Sequence, residues 1–285
     1  MRKLALWLLT AATLSLWSSP AAAADQPVVA YGTGYRQFSL ATGSPGELGL
    51  LKVLAETFGR QENATLTWVK AGSGKSLELL RAKKVDLVMV HAPKAEQLAV
   101  LEGWAARRTL IGSNEFVIVG PPQDPAKIAG AKDVLEAYRR IAAAKAKFLS
   151  RGDNSGTHKK EMDLWTRAGV QPWGEWYIIT KDFMTATLKR ANQEEGYFMV
   201  DSSTWAAEKQ VAPILTVLFK GDKMLVNTYY ALCQPAGATP GAATAARFID
   251  FVASPQGQKI IRDYGKDRFG EGLYNDAAYA RQYAD

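Results

Sequence analysis

Five loops of small residues carry most of the chemistry this chain could perform. They are Ala41-Thr42-Gly43-Ser44-Pro45-Gly46, Ala71-Gly72-Ser73-Gly74-Lys75-Ser76, Arg151-Gly152-Asp153-Asn154-Ser155-Gly156-Thr157, Thr180-Lys181-Asp182-Phe183 and Asp201-Ser202-Ser203-Thr204. Each follows a strand-like stretch and precedes one with helical spacing. A helix N-terminus offers unpaired N–H groups and the positive end of a dipole, and open α/β sheets bind ligands at the carboxyl ends of their strands. Ser and Thr hydroxyls add neutral donors. One such loop is ordinarily a helix cap. Several converging on one cleft would form a cage of donors for an oxyanion. Arg151 is the sharpest candidate, because its guanidinium is always charged and its planar fork matches oxyanion geometry. Asp153, two residues on, could hold that fork or cap the helix that follows.

Other chemistries find less support. Gly72-Ser73-Gly74-Lys75-Ser76 invites a phosphate-loop reading, but the nucleotide motif needs a glycine where Val69 stands. Lys75 is then as readily a solvated charge as a ligand. No Gly-x-Ser-x-Gly elbow occurs, and Cys233 sits in an apolar run, the usual setting of an inert buried thiol. His91 closes a strand-like run beside Ala92-Pro93. His158 falls in the first turn of a helix beside Ser155, a nucleophile–base spacing without an identifiable third member. With only these two histidines and one cysteine, an imidazole-based metal site would need carboxylates to complete it. No enzyme and no cofactor are expected. The aromatic residues are scattered, as core and rim packing would have them.

Apolar periodicity supplies the elements that must aim these loops. Strands are expected at 37–40, 65–69, 85–90, 115–119, 148–149, 176–179, 197–200, 214–219 and 227–232. Leu48, Leu51, Ala55 and Phe58 recur at helical spacing. Further helices are expected at 76–84, 94–101, 133–144, 155–168, 184–192, 242–253 and 255–264. This alternation predicts an α/β fold of two lobes, each a mainly parallel sheet flanked by helices. The Gly120-Pro121-Pro122-Gln123-Asp124-Pro125 stretch and the β-rich return at 214–232 break the pattern. If the chain crosses twice between lobes, near Gly120 and near Leu225, residues 25–117 plus 227–285 form the first lobe and 118–226 the second.

The chain has 285 residues, 35 of them Lys or Arg and 28 Asp or Glu, and is 47% hydrophobic. These are globular proportions, and the length favours more than one lobe. Residues 1–24 have the form of a secretory signal peptide: Arg2-Lys3, an apolar run from Leu4 to Trp17, then Ala21-Ala22-Ala23-Ala24. That run is short for a membrane span, no later stretch is apolar enough, and no repeat is evident. Release into a periplasm is expected. Without the leader, 33 basic residues stand against 28 acidic ones, a charge of +5 with no like-charge run. Nucleic acid is therefore a poor partner, while a small anion suits a mildly positive field.

Several motifs resemble the tungstate-binding proteins of ABC importers. Ala41-Thr42-Gly43-Ser44 followed by Gly49-Leu50-Leu51 is similar to that family's Thr-Thr-Thr-Ser…Gly-Leu-Leu opening. Val90-His91-Ala92-Pro93, Asn114-Glu115-Phe116-Val117-Ile118-Val119-Gly120-Pro121, and Ser150-Arg151-Gly152-Asp153-Asn154-Ser155-Gly156-Thr157-His158-Lys159-Lys160-Glu161 continue the likeness. So do Met184-Thr185-Ala186-Thr187-Leu188, Asp201-Ser202-Ser203-Thr204-Trp205 and Ser254-Pro255-Gln256-Gly257-Gln258. The resemblance runs from about residue 38 to the C-terminus. It implies a two-lobed type II periplasmic binding protein, a monomer that closes on an oxyanion and presents it to a membrane permease. On that likeness Thr42, Gly43 and Ser44 would serve the anion from the first loop and Ser73 and Gly74 from the second. Arg151, Ser155, Gly156, Thr157 and Thr185 would serve it from the other lobe. No metal is implied beyond that of the anion itself. Ala41 and Gly43 break the family's threonine run, and Lys181-Asp182-Phe183 replaces its glycine-rich loop. The anion could be tungstate or molybdate, which only accept hydrogen bonds at neutral pH, as sulfate does. Phosphate keeps a proton and would welcome Asp153 as an acceptor. An exported hydrolase on the same fold is a more distant alternative.

Overall fold

The fold is that of a computed structural model, which describes residues 29–284. The expected leader at 1–24 lies outside the described residues. Eleven strands are described: β1 Val29–Tyr31, β2 Arg36–Thr42, β3 Ala64–Lys70, β4 Leu87–Val90, β5 Ala106–Gly120, β6 Phe148–Ser150, β7 Tyr177–Ile179, β8 Tyr197–Asp201, β9 Thr216–Phe219, β10 Val226–Cys233 and β11 Asn275–Asp276. They run side by side in the order β1-β3-β2-β4-β10-β5-β8-β6-β7, with β9 and β11 also pairing β5.

Two parts of this order are built alike. β2 lies between β3 and β4, and β6 lies between β7 and β8, with all four pairings parallel. Helices Leu50–Glu62, Ser73–Arg81, Gly156–Arg167 and Met184–Glu194 make the crossovers that parallel pairing requires. Parallel pairing is confined to these two centres. β10 runs antiparallel to β4 and β5, and β5 antiparallel to β8 and β9. A strand that returns beside its neighbour with no crossover helix must come back the other way.

The fifteen-residue β5 belongs to both halves. Its residues from Ala106 to Glu115 pair with β10, while Phe116 to Val119 pair with β8. The apolar cores divide at the same place. One cluster draws only on positions from Phe116 to Leu225, with Tyr138, Phe148 and Trp165 fully buried at its centre. Two others cover opposite faces of the first sheet: Leu87, Met89, Tyr229 and Ala231 face one, and Val88, Val90, Tyr230 and Leu232 the other. With both faces covered, these strands read as unbroken apolar runs.

Helix starts follow their caps. Asp133, Ser155, Asp201 and Ser254 each accept the N–H three residues on. Helix Leu50–Glu62 buries Leu50, Leu51, Leu54, Ala55 and Phe58 along one face, and Phe58 packs edge-on against Phe38 and Phe248.

Candidate functional site

In each half the central strand, β2 or β6, has its crossovers leaving to either side, which opens a crevice at its carboxyl end. Both crevices open onto one pocket. It is lined by Thr42, Gly43, Ser44, Pro45 and Glu47 after β2, Gly72 and Ser73 after β3, and Met89 and His91 from β4 and its end. Arg151 and Ser155 follow β6, and Phe183 and Tyr229 complete the wall. The cavity volume is about 10 Å³. Only a compact ligand fits such a space.

The donors are not equivalent. Arg151 is almost fully buried. Its Nη2 donates to Asp153 Oδ2 at 2.5 Å and its Nε to the Asp182 carbonyl at 3.1 Å. Asp153 Oδ1 accepts the Ser155 N–H at 3.1 Å. Each carboxylate oxygen of Asp153 thus accepts one hydrogen bond, and the fork is held with its Nη1 edge uncommitted. Ser73 Oγ accepts the His91 N–H at 3.2 Å, and Ser155 Oγ accepts the His158 N–H at 3.3 Å. Each hydroxyl therefore keeps its proton for a ligand. Thr42 Oγ1 instead donates to the Met89 carbonyl at 2.7 Å, which ties β2 to β4 and spends that proton inside the protein.

Six of the residues expected to serve the anion line the pocket: Thr42, Gly43, Ser44, Ser73, Arg151 and Ser155. Gly74 and Gly156 lie beside it, where the two halves touch. Thr157, second in helix Gly156–Arg167, is buried with its Oγ1 unpaired. Thr185 is half-buried in the first turn of helix Met184–Glu194, outside the lining.

Glu47 and Tyr229 are wall residues that local sequence does not single out, while His91 and Phe183, read from sequence as a strand end and a loop residue, also line the wall without having been expected to serve the anion. The Asp201 carboxylate accepts from Asn114 Nδ2 at 3.1 Å, Asn227 Nδ2 donates to Asn114 Oδ1 at 2.7 Å, and Asn227 Oδ1 meets His91 Nδ1 at 2.8 Å. Because a carboxylate only accepts, this chain orients each amide in turn and makes His91 Nδ1 the donor. Burial drives the His91 pKa down to about 3, with Arg151 and Lys160 pushing the same way against the Asn227 hydrogen bond. The ring is neutral at pH 7. Among the described residues lining the pocket, Arg151 is then the one cation. Glu47 pairs with Lys70 at 2.5 Å, and that ammonium lies 4.3 Å from the Phe183 ring centre. His158 Nδ1 accepts the Asn154 N–H at 3.1 Å, while Ser155 Oγ takes the His158 backbone N–H. The imidazole is turned to a backbone amide, so the pair is not set as nucleophile and base.

Two helix-flanked sheets sharing a long strand, with a donor-lined pocket between their switch points, make this a type II periplasmic-binding-protein fold. The chain belongs to the PBP superfamily, whose domain it matches over residues 21–256. It is 32% identical over 241 residues to the tungstate-binding protein TupA of Peptoclostridium acidaminophilum, covering 83% of this chain and 84% of that one. The structure of the tungstate ABC transporter from Geobacter sulfurreducens is 38% identical with a TM-score of 0.74, covering 81% of this chain and all of that one. The tungstate-binding protein TupA from Desulfovibrio alaskensis G20 is 36% identical with a TM-score of 0.70, covering 84% and 98%.

Proposed function

We propose that this protein captures a tetrahedral oxyanion, tungstate or molybdate, in the periplasm and delivers it to the permease of an ABC importer. In this reading residues 1–24 direct export and the mature protein acts as a monomer, without catalysis. The lobes divide along β5 and β10, close to the 25–117 plus 227–285 and 118–226 partition. The shift of β5 from one set of partners to the other after Glu115 supports that division. Among the described residues no helix is long and apolar enough to cross a membrane.

The observation that carries the choice of anion is the state of Asp153. A phosphate that keeps its proton needs an acceptor, and the carboxylate best placed by sequence is turned to Arg151 and the Ser155 amide and does not line the pocket. The one carboxylate among the described lining residues, Glu47, is paired with Lys70, and what the pocket offers besides is a charged fork with hydroxyl donors, the environment of an anion that only accepts. The similarity to tungstate-binding relatives points the same way.

A thermal-shift panel of tungstate, molybdate, sulfate, phosphate and chromate on ligand-stripped protein tests it. Tungstate or molybdate should raise Tm most. A ligand at 100 times its Kd stabilises by about 2.7 kcal/mol, a shift of a few degrees for a protein of this size. A shift with phosphate alone would refute the reading and make Asp153 a ligand.

A further inference from the structure

We infer that Gly74 and Gly156 are positioning residues for anion capture, their missing side chains setting how closely the two half-sites approach. This rests on the oxyanion-capture reading above. A Cβ added at Gly74 would lie 2.5 Å from the Asn154 carbonyl oxygen and 2.8 Å from its Nδ2. One added at Gly156 would lie 2.4–2.6 Å from three atoms of the His91 ring. Gly72 repeats the theme more mildly, 3.1 Å from Ser155 Cβ. In every case the obstruction comes from the opposite lobe.

These glycines are not needed by their own backbones. Gly74 and Gly156 lie in the first turns of helices Ser73–Arg81 and Gly156–Arg167 and lack the left-handed φ that Gly49 and Gly152 have. An alanine suits either helix better than glycine does. Nor can the neighbours yield. The Asn154 contact is a backbone oxygen on a residue itself held at φ 58°. The His91 ring is pinned by Asn227 and packed on Tyr229, 4.9 Å between ring centres. Adding a methyl group therefore helps each lobe alone and penalises only their contact. The two effects have opposite signs, which separates this role from a structural one.

The test compares wild type with Gly74→Ala and Gly156→Ala in two arms. The first titrates sodium tungstate by calorimetry and follows the radius of gyration by small-angle scattering. Overpacking of a rigid contact predicts affinity weaker by roughly 5- to 150-fold, a radius with tungstate that stays near the ligand-free value, and a ligand-free Tm no lower than wild type. The second arm needs no ligand. Lys94 and Asp163 meet across the cleft mouth, Nζ to Oδ1 3.7 Å, so a Lys94→Cys, Asp163→Cys pair reports closure through a short bis-methanethiosulfonate cross-linker. Cys233 is buried and stays out of the reaction. Either glycine substitution should slow cross-linking. Variants that bind tungstate, contract and cross-link as wild type does would overturn the inference, and so would a ligand-free Tm several degrees lower. If wild type itself ignores tungstate, the functional reading fails and the cross-linking arm still decides this one.

Discussion

Arg151 is held ready rather than merely present. Asp153 and the Asp182 carbonyl take two of its nitrogens, leaving one edge for the pocket. Losing one partner of a buried, hydrogen-bonded charge pair typically costs about 2–5 kcal/mol, so Arg151→Ala should weaken tungstate binding on the order of 30- to 4000-fold. Arg151→Lys keeps the charge but cannot be held at two nitrogens at once, and should fall between wild type and Ala. Lys75, exposed and paired with Glu78 at 3.2 Å, is the matched control, its removal costing less than about 1 kcal/mol. Calorimetric titration of the three variants checks this. Near-wild-type binding by Arg151→Ala with failure of Lys75→Ala would move the charge to the first lobe. Arg151 and the serines were legible because loop composition and position after a strand are local signals. His91 was visible as a strand end, but its burial and tautomer depend on Gly156, Asn114 and Asn227, all distant in sequence. The commitment of the Thr42 hydroxyl was equally hidden, since it depends on where the Met89 carbonyl falls.

Three elements behind that arginine are tied to one carboxylate. Glu161, on helix Gly156–Arg167, accepts from Ser150 Oγ of β6 at 2.8 Å, Tyr177 OH of β7 at 2.6 Å and Trp165 Nε1 at 3.1 Å. Burial lifts its pKa from 4.5 to about 7, outweighing all three hydrogen bonds. The folded carboxyl thus holds its proton more tightly than the unfolded one. Its favourable contribution is complete below about pH 4.5 and is lost as pH rises through about 7. Urea unfolding should therefore show stability declining over that window, and Glu161→Gln should flatten the decline. An unchanged slope in the variant would assign the pH dependence elsewhere. Most elements were readable from periodicity, within a few residues at their ends. The part of β5 before Glu115 was not, because Arg107 and Arg108 open it with charge. In the fold Arg108 is partnered by Glu96 at 3.1 Å and lies over the Tyr230 ring at 3.5 Å. A strand pattern cannot reveal partners supplied by the preceding helix, Pro93–Leu101, and by β10, more than a hundred residues further on.

The whole molecule should behave as two bodies on two strands. Binding should draw the lobes together about β5 and the Leu225–Val226 junction, and scattering should show a smaller radius of gyration with tungstate than without. An unchanged radius alongside proven binding would count against closure, once a ligand-free protein already closed is excluded by the cross-linking rate. Two lobes were foreseeable from the breaks at Gly120 and before Leu225. The exchange of partners after Glu115, a few residues earlier, follows from pairing with β8 and β10, which no local pattern records.

Glu115 and Val226 face each other as paired residues of β5 and β10. The polypeptide therefore leaves the first lobe and re-enters it at neighbouring points, and the intervening 110 residues form a loop of chain whose ends are already together. Such a segment is an insertion that could be exchanged like a cassette. Joining Glu115 to Val226 through an Asn-Gly turn would restore an ordinary hairpin and leave a miniature built on the Leu87–Tyr229 core, stripped of the Ala206 and Ala207 contacts that helix Ser202–Glu208 makes with it. That miniature would bind no anion, because Arg151 and Ser155 depart with the cassette.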